Sequence, residues 1–285
     1  MTRRRTPTTR RLRSSSGQVT RTGRVELARP GSEPREMLPL GSLAPTAARL
    51  GVLAFGDSIT NGGGELQWGV ALQSWAWWVA RALGFPFTSY AVDGAQITGV
   101  VEEQIPAFQR RSAHPQARYE LGCIYIGTND ARALDWDAAG FESKFRRALE
   151  FIASRSDRTL TLTSPLDLGC PRAGTRVAEL NAAVERVAGE VGALVTDLRD
   201  FRGRNVVMAD HVHPTALGQI AIAERVLATL AREGIKPTVM PSELIEYEIT
   251  WWKRLRADST YAYRHLKVSA VAGVKLGLSR IHRGS

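Results

Sequence analysis

The chain has little cysteine, no long apolar run and no phosphate-binding loop, and each shortage removes a class of protein. Only two cysteines occur in 285 residues, Cys123 in an apolar run and Cys170 in a Pro/Gly-rich loop. They show no CxxC spacing and no disulfide framework, so both are expected as buried or incidental thiols. No stretch approaches the roughly 18 apolar residues of a membrane span. The Arg-rich N-terminus leads into Ser, Thr and Gly in place of an apolar signal core, and Pro39, Pro45 and Arg49 interrupt residues 37–55. A cytoplasmic location is the expectation. The glycines nowhere form GxGxxG or GxxxxGK[ST], which leaves nucleotide chemistry without support.

Acidic charge is also scarce overall, giving a net charge of +10, but the excess is confined to the ends. Residues 1–36 hold ten Arg against three acids, and residues 237–285 hold eight Lys/Arg against four acids. Between them, residues 37–236 carry twenty basic and twenty-one acidic side chains. A nearly neutral centre without a nucleic-acid motif argues against a nucleic-acid partner. Residues 1–36 are rich in Arg, Thr and Ser with few large apolar side chains, and are expected to be a disordered basic tail. A misplaced start codon ahead of Met37 would produce the same segment.

The hydrophobic content of 44% is that of an ordinary globular chain. From Arg49 on, short apolar runs at 50–55, 88–91, 121–126, 159–163 and 193–197 alternate with helix-period stretches near 74–83, 98–110, 141–154, 176–191 and 216–233. Leu180, Val184, Val187 and Val191 illustrate the helical spacing. Strands alternating with helices predict a three-layer α/β/α domain over 37–236, with a five-stranded parallel sheet of flavodoxin-like order.

In an open parallel sheet, ligands bind beyond the carboxyl ends of the strands. Three motifs fall there or just before a helix. The first run ends in Gly56-Asp57-Ser58-Ile59-Thr60, where Ser58 stands as a candidate nucleophile, although Asp-Ser before a helix is also an ordinary N-cap. The apolar run LGCIYI ends in Gly127-Thr128-Asn129-Asp130, where Asn129 is a candidate oxyanion donor and a turn is the plain alternative. Asp210-His211-Val212-His213-Pro214 precedes the last helix of the domain and supplies a candidate base, His213, with a carboxylate three positions earlier. His211 is expected to face solvent. His114, His265 and His282 lie in polar or tail segments without a comparable partner. Trp68, Trp75, Trp77 and Trp78 follow the nucleophile and suit either an acyl pocket or the core, Trp75 on a sheet-facing position.

Together with Gly94 in AVDGAQ, these blocks resemble the SGNH/GDSL hydrolases. GDSIT, Gly94, GTND and DHVHP occur in family order over roughly residues 48–234. Ala91 and Asp93 depart from the family's usual second block. The resemblance implies a serine hydrolase of carboxylic esters acting through an acyl-serine intermediate, with no cofactor and no metal. Ser58, Asp210 and His213 would be catalytic, Asp57 structural, and Ser58, Gly94 and Asn129 would form the oxyanion hole. Acyl transfer or thioester hydrolysis would use the same site, and a non-catalytic binding protein working through its basic tails is the rival class. The substrate would be a small-molecule or lipid ester.

The C-terminal extension, 237–285, opens on Pro237 and Pro241 and continues as WWKRLRADSTYAYRHLK. A helix is expected there. Its aromatics and cations suit peripheral contact with a membrane, but four acids dilute the charge, which favours packing against the domain or a second subunit.

Overall fold

The computed structural model describes residues 50–111, 118–247 and 250–281. The N-terminal basic segment and His114 and His282 lie outside these. All described residues fall within the unit Pro45–Ser285.

In chain order the elements are β1 (Val52–Gly56), α1 (Ser58–Asn61), α2 (Trp75–Leu83), β2 (Phe87–Ser89), α3 (Ile97–Gly99), a π-helical turn (Val100–Gln104) and α4 (Ile105–Arg111). They continue with β3 (Tyr119–Tyr125), α5 (Thr128–Arg132), α6 (Ala138–Arg155), β4 (Ser156–Leu162), α7 (Thr175–Val191), β5 (Leu194–Thr196), α8 (Ala216–Arg232), a short 3₁₀ turn (Pro241–Leu244) and α9 (Trp251–Ile281). Every residue of β1 is buried, as befits a strand with a parallel neighbour on either side and helices on both faces. All pairings are parallel and the strand order is β2-β1-β3-β4-β5.

Side chains alternate across the sheet, and the core divides with them. Val52, Ala54, Leu121 and Cys123 pack with α2 and α8, whereas Leu53, Phe55, Ile124 and Ile126 pack with α4, α6 and α7. The expected three-layer, flavodoxin-like domain is therefore the fold found. Both cysteines are free, and Cys123 is buried.

Two local differences from the sequence pattern have physical reasons. The second strand is shorter than the apolar run suggests, yet its hydrogen bonding runs on: Tyr90 N donates to Ala54 O at 2.9 Å and Val92 N to Gly56 O at 3.1 Å. The helix after it is not uniform. Pro106 has no N–H for the usual bond to residue 102, and the preceding turn widens so that Ile105 N donates to Val100 O, five residues back.

The order 2-1-3-4-5 reverses direction between β1 and β3. Crevices of open α/β sheets lie at such a switch point, beyond the carboxyl ends of the strands. Ser58 follows β1 directly and Asn129 follows β3, so both flank this crevice.

Candidate active site

Gly56 ends β1 at φ +149°, and a Cβ there would meet Tyr125 O at 2.4 Å and Thr60 Oγ1 at 2.6 Å. A glycine is required, because the chain turns at once into α1 against β3. Asp57 caps that helix, its Oδ1 accepting from Ile59 N at 2.9 Å. Ser58 is thereby lifted to the start of a single helical turn at the sheet edge, and it remains partly exposed.

Ser58 Oγ lies 2.9 Å from His213 Nε2, and His213 Nδ1 lies 2.7 Å from Asp210 Oδ2. An ionised carboxylate only accepts, so Nδ1 carries the proton and Nε2 is left to accept from the serine hydroxyl. The second oxygen of Asp210 accepts from the N–H groups of Val212 (2.9 Å) and His213 (3.1 Å), which ties the carboxylate to the backbone of its own turn. That turn sits at the tip of a closed loop: Met208 N donates to His213 O at 2.8 Å and Thr215 N to Val206 O at 2.9 Å. Thr215 then caps α8 through Gly218 N.

Burial would raise the Asp210 carboxyl, but the hydrogen bonds from the His213 ring and from the two backbone N–H groups hold it below its ordinary value. The same Asp210 bond, opposed by burial and helped by the charges of Asp210 and Asp57, raises His213 above an ordinary imidazole. The pair is coupled in the sense that orients and strengthens a base.

Asn129 stands in the first turn of α5 and donates from Nδ2 to Ala95 O at 3.0 Å, leaving its second N–H uncommitted by that bond. Ala95 closes a turn on Val92 through a 3.1 Å bond, and Gly94 occupies the third position of that turn at φ +75°. A turn of this type demands glycine there. Asn61, at the end of α1, donates to Asp93 Oδ1 at 2.9 Å, so the unusual aspartate of this block has a partner three residues from Ser58.

The motifs are also bolted to each other from behind. Asp57 Oδ2 accepts from Thr128 Oγ1 at 2.6 Å, and both oxygens of Asp130 accept from Ile97 N at 3.1 and 3.2 Å. Burial is the main cause that pushes each of these carboxyls up to about 6, against the pull of those same bonds.

Two supporting residues escaped the sequence reading. Gln104, which the π turn presents to β1, accepts from Gly56 N at 3.1 Å and donates to Gly56 O at 2.8 Å. Gln219 of α8 accepts from Trp75 N at 2.8 Å and donates to Ile59 O and Gly63 O, both at 3.0 Å. Each is a buried glutamine on an otherwise apolar helix face, and that was the available signal.

One histidine reading needs correction. His211 does not face solvent: its ring lies 5.7 Å from that of His265, and its Nδ1 is 3.5 Å from Asp167 Oδ2. Its backbone adopts φ +56°, which turns the side chain of the loop tip inward. His265, on the other side of that contact, also stacks on Tyr261. Of the tryptophans, Trp75 and Trp78 are core. Trp68 instead stacks on Tyr247 and lines a cavity of about 440 Å³ between loop 65–69 and α9, shared with Leu66, Arg204, Tyr261 and Arg264. Among the described residues no group of three or more His, Cys, Asp or Glu is arranged to hold a metal ion.

Among solved structures, the chain is similar to LAE5, an alpha/beta hydrolase enzyme from the metagenome of Lake Arreo, Spain, at 18% identity and a TM-score of 0.51, covering 65% of this chain and 96% of that one. It is similar to a member of the lipolytic protein G-D-S-L family from Veillonella parvula at 23% identity and a TM-score of 0.51, covering 64% and 98%. A variant of Axe2, an acetyl xylan esterase from Geobacillus stearothermophilus, matches at 18% identity and a TM-score of 0.50, covering 66% and 96%. No curated protein sequence matches the chain significantly. The model of the GDSL-like Lipase/Acylhydrolase family matches residues 54–221, a span that runs from within β1 into α8 and takes in Ser58, Gly94, Asn129, Asp210 and His213. This chain belongs to the GDSL-like Lipase/Acylhydrolase family.

Proposed function

We propose that the protein hydrolyses carboxylic esters, with Ser58 as the nucleophile, His213 as the general base and then acid, and Asp210 as the group that orients His213. The observation that carries this reading is the chain of contacts from Ser58 Oγ to His213 Nε2 and from His213 Nδ1 to Asp210. A serine hydroxyl attacks only when a base removes its proton as the bond to carbon forms, and this arrangement places such a base within reach. The proton of Ser58 passes to His213 as Oγ adds to the ester carbonyl. The negative charge then on the carbonyl oxygen is met by the N–H groups of Ser58 and Gly94 and by the Asn129 amide, which the bond to Ala95 holds in place. Collapse of this intermediate breaks the bond to the alcohol, which leaves with the proton from His213. Water repeats the sequence on the acyl-serine and frees the acid.

Family membership and the likeness to an acetyl xylan esterase support an ester substrate. Turnover of p-nitrophenyl acetate by the full chain, lost in Ser58→Ala, is the expected result. A Ser58→Ala protein that retains turnover would overthrow the proposal.

A further inference from the structure

The C-terminal helix has two unlike sides. Its inner side is held to the loops beside the candidate site: Asp258 pairs with Arg204 at 2.9 Å, Arg264 pairs with Glu65, and His265 meets His211. Glu65 in turn pairs through its backbone with Thr215, two residues beyond His213. At 3.6 residues per turn, Trp251, Trp252, Leu255, Tyr263 and Leu266 span an arc of roughly 120° on the outer side. All five are exposed, between 47% and 70%. The exposed Arg256 and Lys267 lie along one border of that arc, where Arg256 also reaches the cavity between α9 and loop 65–69.

A row of large apolar side chains left in water, broken only by Ser259 and Ala262, marks a contact surface. The charge around it says with what. Residues 251–285 contain eight Lys/Arg and a single acid, Asp258, which is turned inward onto Arg204. The other three acids of the C-terminal extension, Glu243, Glu246 and Glu248, precede the helix. The dilution of charge expected over the whole extension therefore does not reach the helix itself. A second copy docking on this face would set its uncompensated cations against their own kind, whereas an anionic lipid surface complements both the cations and the apolar row. No helix among the described residues is long and apolar enough to cross a membrane.

We propose that the outer face of α9 is a docking surface for an anionic bilayer, with the helix lying in the plane of the headgroups. Trp251, Trp252, Leu255, Tyr263 and Leu266 enter the interface, and Arg256 and Lys267 meet the lipid phosphates. The inner side stays on the loops that border the candidate site, so docking leaves the α/β domain attached as it is. The assignment stands whether or not Ser58 is a nucleophile.

The test is co-sedimentation of the full chain with phosphatidylcholine vesicles containing roughly a third phosphatidylglycerol, and with pure phosphatidylcholine vesicles, at low and high salt. Binding to the anionic vesicles, weakened by salt, is expected. The triple variant Trp251→Gln, Trp252→Gln, Leu255→Gln should lower the partition coefficient at least about 100-fold, and Arg256→Glu or Lys267→Glu about five-fold or more. Ester turnover in solution and the helical circular dichroism should not change in these variants. Failure of the wild-type chain to bind the anionic vesicles at low salt overturns the proposal. So does binding that the triple variant leaves intact, or a wild-type dimer that the triple variant converts to monomer without any vesicle binding.

Discussion

The Thr128 hydroxyl donates to the fully buried carboxyl of Asp57 at 2.6 Å, joining the turn that carries Ser58 to the turn that carries Asn129. Ser58 and Asn129 come from segments far apart in sequence, and this bond ties their two turns together beneath the site, adding to the parallel pairing of β1 with β3. The carboxyl that makes it is pushed up to about 6 by burial. Asp57 therefore costs stability when ionised. A folded-state value above the ordinary 3.8 means that the folded chain binds the proton more tightly, so this contribution falls as pH rises from about 4 to about 6 and is level above that. Asp57→Asn cannot ionise. The stability of the wild type relative to this variant should drop by up to about 3 kcal/mol between pH 4 and pH 7. Urea denaturation at the two pH values measures it, and a constant difference would contradict the buried-carboxyl account.

Asn129→Ala should lower kcat by about 10²–10³ with little change in KM, because in the proposed mechanism the amide acts on the charge that develops in the transition state. The bond to Ala95 O is lost as well, so circular dichroism and Tm should accompany the kinetics. A rise in KM alone would make Asn129 a substrate-binding residue.

The acid limb of the kcat/KM profile should lie above the ordinary imidazole value, since His213 must be unprotonated to act and its bond to Asp210 raises it. Asp210→Asn should move that limb down and reduce turnover by up to about 10⁴-fold, by losing both the charge and the preferred tautomer. An unshifted limb in Asp210→Asn would deny that the pair is coupled.

Gln219→Leu leaves Trp75 N, Ile59 O and Gly63 O without the partner that now joins them. Burying such groups unpaired costs about 1–3 kcal/mol each, so the loss of stability should reach at least about 2 kcal/mol. Gln104→Leu should act alike through Gly56. Thermal unfolding measures both, and a neutral effect in either would show that the glutamine is incidental.

Most of the fold was legible because the central strands β1 and β3 are largely apolar runs and the long helices α6, α7 and α8 show a 3.6-residue period. The residues of the candidate site were legible for a different reason: GDSIT, GTND and DHVHP each combine a chemistry-bearing side chain with the small or capping residues that a strand end requires. The supports were not. Gln104 reaches Gly56 from a π-helical turn ahead of Pro106, and periodicity does not reveal a change of helical winding. Asp57 was readable as a cap but not as the partner of Thr128, a contact between positions 71 apart in sequence. His211 was misplaced because the left-handed backbone at the loop tip, and not the hydropathy of its neighbours, decides where the ring points.

The most direct test of the central claim is the mass of the intact protein and of its peptides after reaction with an alkyl fluorophosphonate, which forms a stable adduct with an activated serine. One adduct per chain is predicted, on the peptide that contains Ser58, with none in Ser58→Ala and much slower labelling in His213→Ala. Ester turnover of the double variant should be no lower than that of Ser58→Ala alone, because the two residues act as a unit. An unlabelled wild type that still hydrolyses p-nitrophenyl acetate, or an adduct on a different serine, would contradict the account.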